Sequence, residues 1–139
     1  MTLAENKARI AVQLLCPCCG QSKMDPKVIP AILKIEKKLG IFLQINSGYR
    51  CPAHNAQLLV DWIEEAIAFE KAHPDEKFQK PKPSKLSRHR LGLAIDVQCH
   101  KSRQAELIAE ARAAGFNGIG RGLRMVHLDF RPEPAEWVY

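Results

Sequence analysis

The sequence predicts an α+β domain: a small, mainly antiparallel sheet with helices packed mainly on one side. Three observations lead there. The segments read helix, strand, helix, loop, strand, helix, strand along the chain. The later strand-like runs alternate apolar and polar residues, so each has one face to bury. The chain has 139 residues, 46% of them apolar and 26% charged, enough for one compact core. Residues 1–139 read as a single domain without internal repeat or linker.

Up to Leu15 the pattern leaves helix and strand open. Cys16 to Met24 has proline, glycine, small polar residues and no periodicity, which predicts a turn. Asp25 as N-cap and Pro26 at the first helical position start a helix. Its face is Ile29, Ile32, Leu33, Glu36 and Leu39, and Gly40 stops it; Pro30 predicts a bend. Ile41 to Asn46 is a short, mostly buried strand that breaks at Ser47-Gly48. His54 to Ala72 is helical, with a wide apolar face from Leu58, Leu59, Trp62, Ile63, Ala66, Ile67 and Phe69. Asp75 to Lys85, polar and proline-rich, is a loop. Leu93 to Val97 is a second strand. Ser102 caps a helix from Arg103 to Ala114 that Gly115 closes, and Arg124 to Phe130 forms the last clear strand.

The net charge of +6 suits an anionic partner, but the basic residues are scattered loosely, so nucleic acid is not the favoured one. No run of about 18 apolar residues exists, which excludes a membrane-spanning helix. Lys7 and Arg9 precede Ile10 to Leu15, a run too short for a signal-peptide core, so synthesis in the cytoplasm without export by the general route is expected. Five cysteines, an odd and closely spaced set, argue against a secreted disulfide framework. Cys16 and Cys19 form a Cys-x-x-Cys pair that invites a zinc-knuckle reading, but a second pair at similar spacing is missing and Cys51 and Cys99 stand alone. The favoured reading is a tight turn whose small thiols tuck under the core.

The chemistry concentrates in Ser87 to Asp96 and Met125 to Phe130. Side chains two apart in a strand share a face, so His127 and Asp129 project together while Val126, Leu128 and Phe130 bury. Asp96 likewise opposes Ile95 and Val97. His89 would reach in from the preceding loop, with Gly92 letting the backbone pass close. Two histidines and a carboxylate leave zinc one position open for water, the arrangement of catalytic rather than structural sites.

Four blocks in order carry a resemblance. They are Ser47-Gly48-Tyr49-Arg50-Cys51-Pro52-Ala53-His54-Asn55; Ser87-x-His89-x-x-Gly92-x-Ala94-x-Asp96; Gly118-Ile119-Gly120; and His127-x-Asp129. This pattern resembles the zinc D-alanyl-D-alanine carboxypeptidase family, a group that includes vancomycin-resistance dipeptidases, phage endolysin peptidases and the hedgehog signalling domain. The resemblance implies that family's fold, with one Zn²⁺ per chain held on the sheet by His89, Asp96 and His127. It implies Arg50 beside the scissile carbonyl, stabilising the developing oxyanion, and substrate contacts from Ser87 and Tyr49. The implied substrate is a stem or crossbridge peptide of the bacterial cell wall; without an export signal or a separate wall-binding segment in the sequence, the expectation is a monomeric phage or prophage lysis enzyme released through another protein's membrane lesion.

Two departures from the family pattern stand out. Arg124 and Met125 occupy the positions where many members carry a general base, and neither accepts a proton at neutral pH. Asp129 is the nearest alternative, either as the base or as a partner orienting His127; Glu133 and Glu136 are candidates only if the tail folds back. The segment between Asn55 and Ser87 is longer than in close relatives and is expected either to border the cleft or to be a surface insertion. A zinc-stabilised binding module without catalysis is the alternative function.

Overall fold

In the computed structural model, which describes residues 1–84 and 86–139, Leu3–Gln13 forms helix α1. A capping box decides for helix there: Thr2 Oγ1 accepts the Glu5 N–H, and the Glu5 carboxylate takes the N–H of Thr2. Ile10 and Leu14 carry its inner face into the core.

Helix α2 spans Val28–Leu39, starting two residues later than the Asp25 cap predicts. Asp25 instead closes the preceding turn, its carboxylate accepting the Lys27 N–H at 3.0 Å and its carbonyl the Val28 N–H at 3.1 Å. Pro30 is therefore the third helical residue, inside the first turn where N–H groups have no helical acceptor, and the reason to expect a bend disappears. The buried face is Val28, Ala31, Ile32 and Ile35, rotated from the expected stripe, whose Ile29, Leu33 and Leu39 are only half-buried. Glu36 is buried as well. Its carboxylate accepts from Arg9 Nη2 at 2.5 Å and from the Leu43 N–H at 2.7 Å, so the buried charge is paired. Gly40 ends the helix in the left-handed conformation, as expected.

Among the described residues five strands form one mixed, open sheet: β1 (Gln44–Ser47), β2 (Ala94–Gln98), β3 (Gly118–Arg121), β4 (Met125–Asp129) and β5 (Ala135–Val138), in the order β1-β2-β4-β3-β5. Three pairings are antiparallel; β3 and β5 run parallel. Strand β1 is shorter than expected, and Ile41 and Phe42 lie exposed before it. The glycine-rich β3 and the tail strand β5 carry no alternating pattern that marks them in the sequence. Ile45, Ile95, Val97, Ile119, Val126 and Leu128 form one core with α1, α2 and helix α4 (Gln104–Ala113). That is the expected α+β arrangement. His100, not Ser102, opens the α4 segment: its ring Nδ1 accepts the Ser102 N–H at 3.1 Å and starts a 3-10 turn over Lys101–Arg103.

Helix α3 (Pro52–Ala72) departs most from its pattern. Only Asn55 and Ala66 are buried, while Ile63 and Ile67 of the expected face are exposed. It packs on the chain that follows it. Phe78 sits edge-on to Trp62 and tilted against Phe69, with centroids 5.7 and 5.6 Å away, and Trp62 Nε1 donates to Lys80 O at 2.7 Å. The loop expected over Asp75 to Lys85 is irregular through Ser84; Lys85 lies outside the described residues. Among the described residues no helix is long and apolar enough to cross a membrane.

Candidate metal centre

The register aligns one row of side chains across the face of the sheet away from α2 and α4. Ser47 pairs with Asp96, Asp96 with His127, His127 with Gly120 and Gly120 with Trp137. Ala94, Asp129, Gly118 and Ala135 form the next row. The two glycines leave room that their neighbours fill. A Cβ at Gly120 would lie 2.5 Å from Trp137 Nε1, and one at Gly118 would run into the Asp129 carboxylate and the Arg131 guanidinium.

His89 enters from a 3-10 turn over Arg88–Leu91, which Ser87 caps by accepting the His89 N–H at 3.3 Å. Gly92 ends the turn at φ +69°, and any Cβ there would strike the backbone of Lys23, so the close passage expected of this glycine is met. The His89 ring is buried, and its Nδ1 donates to the Gly48 carbonyl at 2.7 Å. In the neutral ring that bond fixes the tautomer and turns the Nε2 lone pair to Asp96 Oδ2, 3.3 Å away.

His127 lies between two carboxylates: Nδ1 is 3.0 Å from Asp96 Oδ1 and Nε2 is 2.7 Å from Asp129 Oδ2. A neutral imidazole donates only once. With Nε2–H given to Asp129, the Nδ1 lone pair faces Asp96. Two ring lone pairs and a carboxylate thus converge, all three ligand atoms lying within 4.8 Å of one another. Ligand atoms about 2.0–2.1 Å from a tetrahedral zinc stand roughly 3.3 Å apart. The 3.0 and 3.3 Å separations are of that size but run to different oxygens of Asp96, and the donor set needs a cation or a proton at its centre.

The electrostatics agree. Burial would raise the Asp96 carboxyl, but His127 and His89 outweigh it and hold it far below the carboxylate range. Burial works against charge on His127 too, yet Asp129 and Asp96 raise its pKa. Asp129 is fully buried; against that burial Arg131 and then His127 hold its carboxyl at about 2. Arg131 forks onto it, Nε to Oδ1 at 2.7 Å and Nη2 to Oδ2 at 2.5 Å.

The other expected site residues divide. Arg50 is in place, its Nη2 donating to Asp96 Oδ2 at 3.1 Å and its Nε to Ser47 Oγ at 3.1 Å. Ser87 lines the cleft. Tyr49 does not: it is 3% exposed, packed in the interior, with its N–H given to the Leu14 carbonyl at 2.9 Å. Its neighbour Arg50 faces the cleft instead. The cleft, of about 860 Å³, is bordered by Leu58 and the Lys80–Ser84 stretch, so the long segment after Asn55 does form one wall. The tail does fold back, but Glu136 turns away to Arg112 and Arg121, and Trp137 and Tyr139 come to the cleft in its place. Trp137 lies 5.3 Å from the His127 ring and 4.8 Å from the Arg131 guanidinium. Burial raises the Tyr139 hydroxyl, which keeps its proton. Among the described residues, Asp96 and Asp129 are the acidic groups that line the cleft, and both are engaged. Trp137, Tyr139 and Arg131 were missed from sequence because nothing in the proline-broken tail signals the parallel pairing that brings them in.

A second group corrects the reading of the cysteines. Cys51 does not stand alone: Cys16, Cys18, Cys19 and Cys51 bring their sulfurs within 4.8 Å of one another. Cys16 is buried, but Cys18 and Cys19 are exposed rather than tucked under the core. Cys99 stays apart from them. No family model, curated protein or solved structure matches the chain.

Proposed function

We propose that the protein is a zinc-dependent peptidase that hydrolyses stem or crossbridge peptides of bacterial peptidoglycan, with the fold of the zinc D-alanyl-D-alanine carboxypeptidase family. The observation that carries this reading is the grouping of His89 Nε2 and His127 Nδ1 around the Asp96 carboxylate, 3.3 and 3.0 Å from its two oxygens, in the lining of the cleft. Bound zinc supplies polarisation of the peptide carbonyl and acidification of water there.

The chain's own residues do the rest. Gly48 and Asp129 orient the two histidines, and Asp129 is assigned the orienting role because Arg131 and His127 already occupy its oxygens. Arg50, 3.1 Å from Asp96, offers a cation to the carbonyl oxygen as charge builds on it. Tyr139 offers a protonated hydroxyl at the rim. Arg50, Lys80, Lys82, Arg88 and Arg131 around the cleft suit a substrate bearing carboxylates, as cell-wall peptides do.

Mass spectrometry of peptidoglycan fragments incubated with the zinc-loaded protein tests this. New amino termini appear with the wild type and vanish with His127→Ala. A specific observation favours a second reading: with Asp96 and Asp129 both engaged, the cleft offers no free carboxylate among the described residues to serve as base. Stoichiometric zinc with no peptide ever cut would make the protein a zinc-stabilised binding module.

A further inference from the structure

We propose that Cys16, Cys18, Cys19 and Cys51 form a second metal site, a structural zinc tetrathiolate that ties the turn after α1 to the start of α3. Cys18 Sγ lies 3.5 Å from Cys16 Sγ and 3.2 Å from Cys51 Sγ, and all four sulfurs fall within 4.8 Å. Thiolates about 2.3 Å from a tetrahedral zinc stand roughly 3.8 Å apart, so small movements of the side chains seat the ion.

The backbone is already shaped for it. Cys16 donates its N–H to Gln21 O at 2.7 Å and accepts the Gly20 N–H at 2.9 Å, with Gly20 at φ +68°. This is a closed knuckle that presents three thiols to one point. Donors also aim at the sulfurs: the Cys51 N–H at Cys16 Sγ and the His54 N–H at Cys51 Sγ, both at 3.4 Å. Cys51 is the N-cap of α3, so its thiol stands where the first free N–H groups of that helix point. Zinc binding releases the thiol protons and requires no oxidant. A single Cys18–Cys51 disulfide would satisfy only two of the four sulfurs. The exposed Cys18 and Cys19 leave the ion a way in.

This site is independent of the histidine centre, and its test is made so. Cobalt(II) is loaded into the full chain carrying His89→Ala and His127→Ala, which empties the other centre. The expected result is one cobalt per chain with intense thiolate-to-cobalt charge-transfer bands and the visible bands of a tetrahedral tetrathiolate. Zinc displaces it and silences the bands. In the unmodified chain, elemental analysis gives two zinc ions. A thiol reagent then labels one cysteine, Cys99, before chelation and five after it, and chelation lowers the thermal midpoint by on the order of 10 °C. Should the double variant fail to fold, the bands are read in the unmodified chain, where histidine and carboxylate ligands cannot produce them. Cobalt bound without charge-transfer bands, five thiols reactive before chelation, or an intact mass showing a Cys18–Cys51 disulfide in freshly purified protein would overturn the proposal.

Discussion

Ile95, Val97, Val126 and Leu128 point into the layer of α1, α2 and α4, while Asp96, His127 and Asp129, their immediate neighbours in sequence, project from the opposite face. The two faces are held by different physics. The core face is apolar and close-packed, so its cohesion is additive over area and sensitive to volume. The other face is a chain of directed bonds, Gly48 to His89, Asp96 to His127 to Asp129 to Arg131, in which each group fixes the next. One strand can serve both because its period of two separates them completely. Damage to one face therefore reads out chiefly as folding free energy, and damage to the other chiefly as metal affinity.

The sharpest break is His127→Ala, which removes the shared ligand: the histidine centre loses its metal and peptide hydrolysis stops, while the circular dichroism spectrum is retained. On the opposite face Leu128→Ala should cost about 2–5 kcal/mol in urea denaturation, with the histidine centre still binding one zinc in the folded protein. A loss of zinc there would mean that the faces are not separable. Asp129→Asn comes next. As an orienting partner it should lower zinc affinity and turnover together, roughly 10–100-fold; turnover falling at unchanged affinity would make Asp129 a proton carrier instead. The same carboxyl sets an acid limb in the zinc-free protein. Its folded pKa of about 2 lies below its ordinary 3.8, so its bonds stabilise fully above about 4 and are lost as pH falls through 2. Acid titration of stability should be flatter in the Asn variant. The smallest effect belongs to the exposed Lys80–Glu65 pair on the α3 arm, 2.9 Å apart, where Glu65→Gln should change stability by about 0.2–1 kcal/mol.

How much of this was legible follows from the range over which each signal acts. The parity of Asp96 and of His127 with Asp129 is local, so the ligand-bearing strands and their faces could be read directly. Gly92 could be read too, because the chain turns sharply at that residue. Other features depend on partners remote in sequence. Cys51 lies 35 residues from Cys16, and no spacing rule links them; the Tyr49–Leu14 backbone bond and the Cys51 N–H to Cys16 Sγ bond bring their segments together. Strand β5 follows Pro132 and Pro134 and has four residues of no clear pattern; it exists because β3 presents an open edge. Helix α3 shows the converse. Its apolar spacing is real, but Ile63 and Ile67 stay in solvent because the core is already filled by α1, α2 and α4. Periodicity reports a face that can bury, not that one does.

Strand β5 also sets an order of events. The β3–β4 hairpin closes a short loop and can form early, whereas β5 can add to β3 only after that hairpin exists, and as an edge strand it gains hydrogen bonds on one side alone. The cleft rim carried by Trp137 and Tyr139 thus rests on an edge strand paired on one side alone. Amide hydrogen exchange at the tail should report the opening of the cleft rather than the unfolding of the domain.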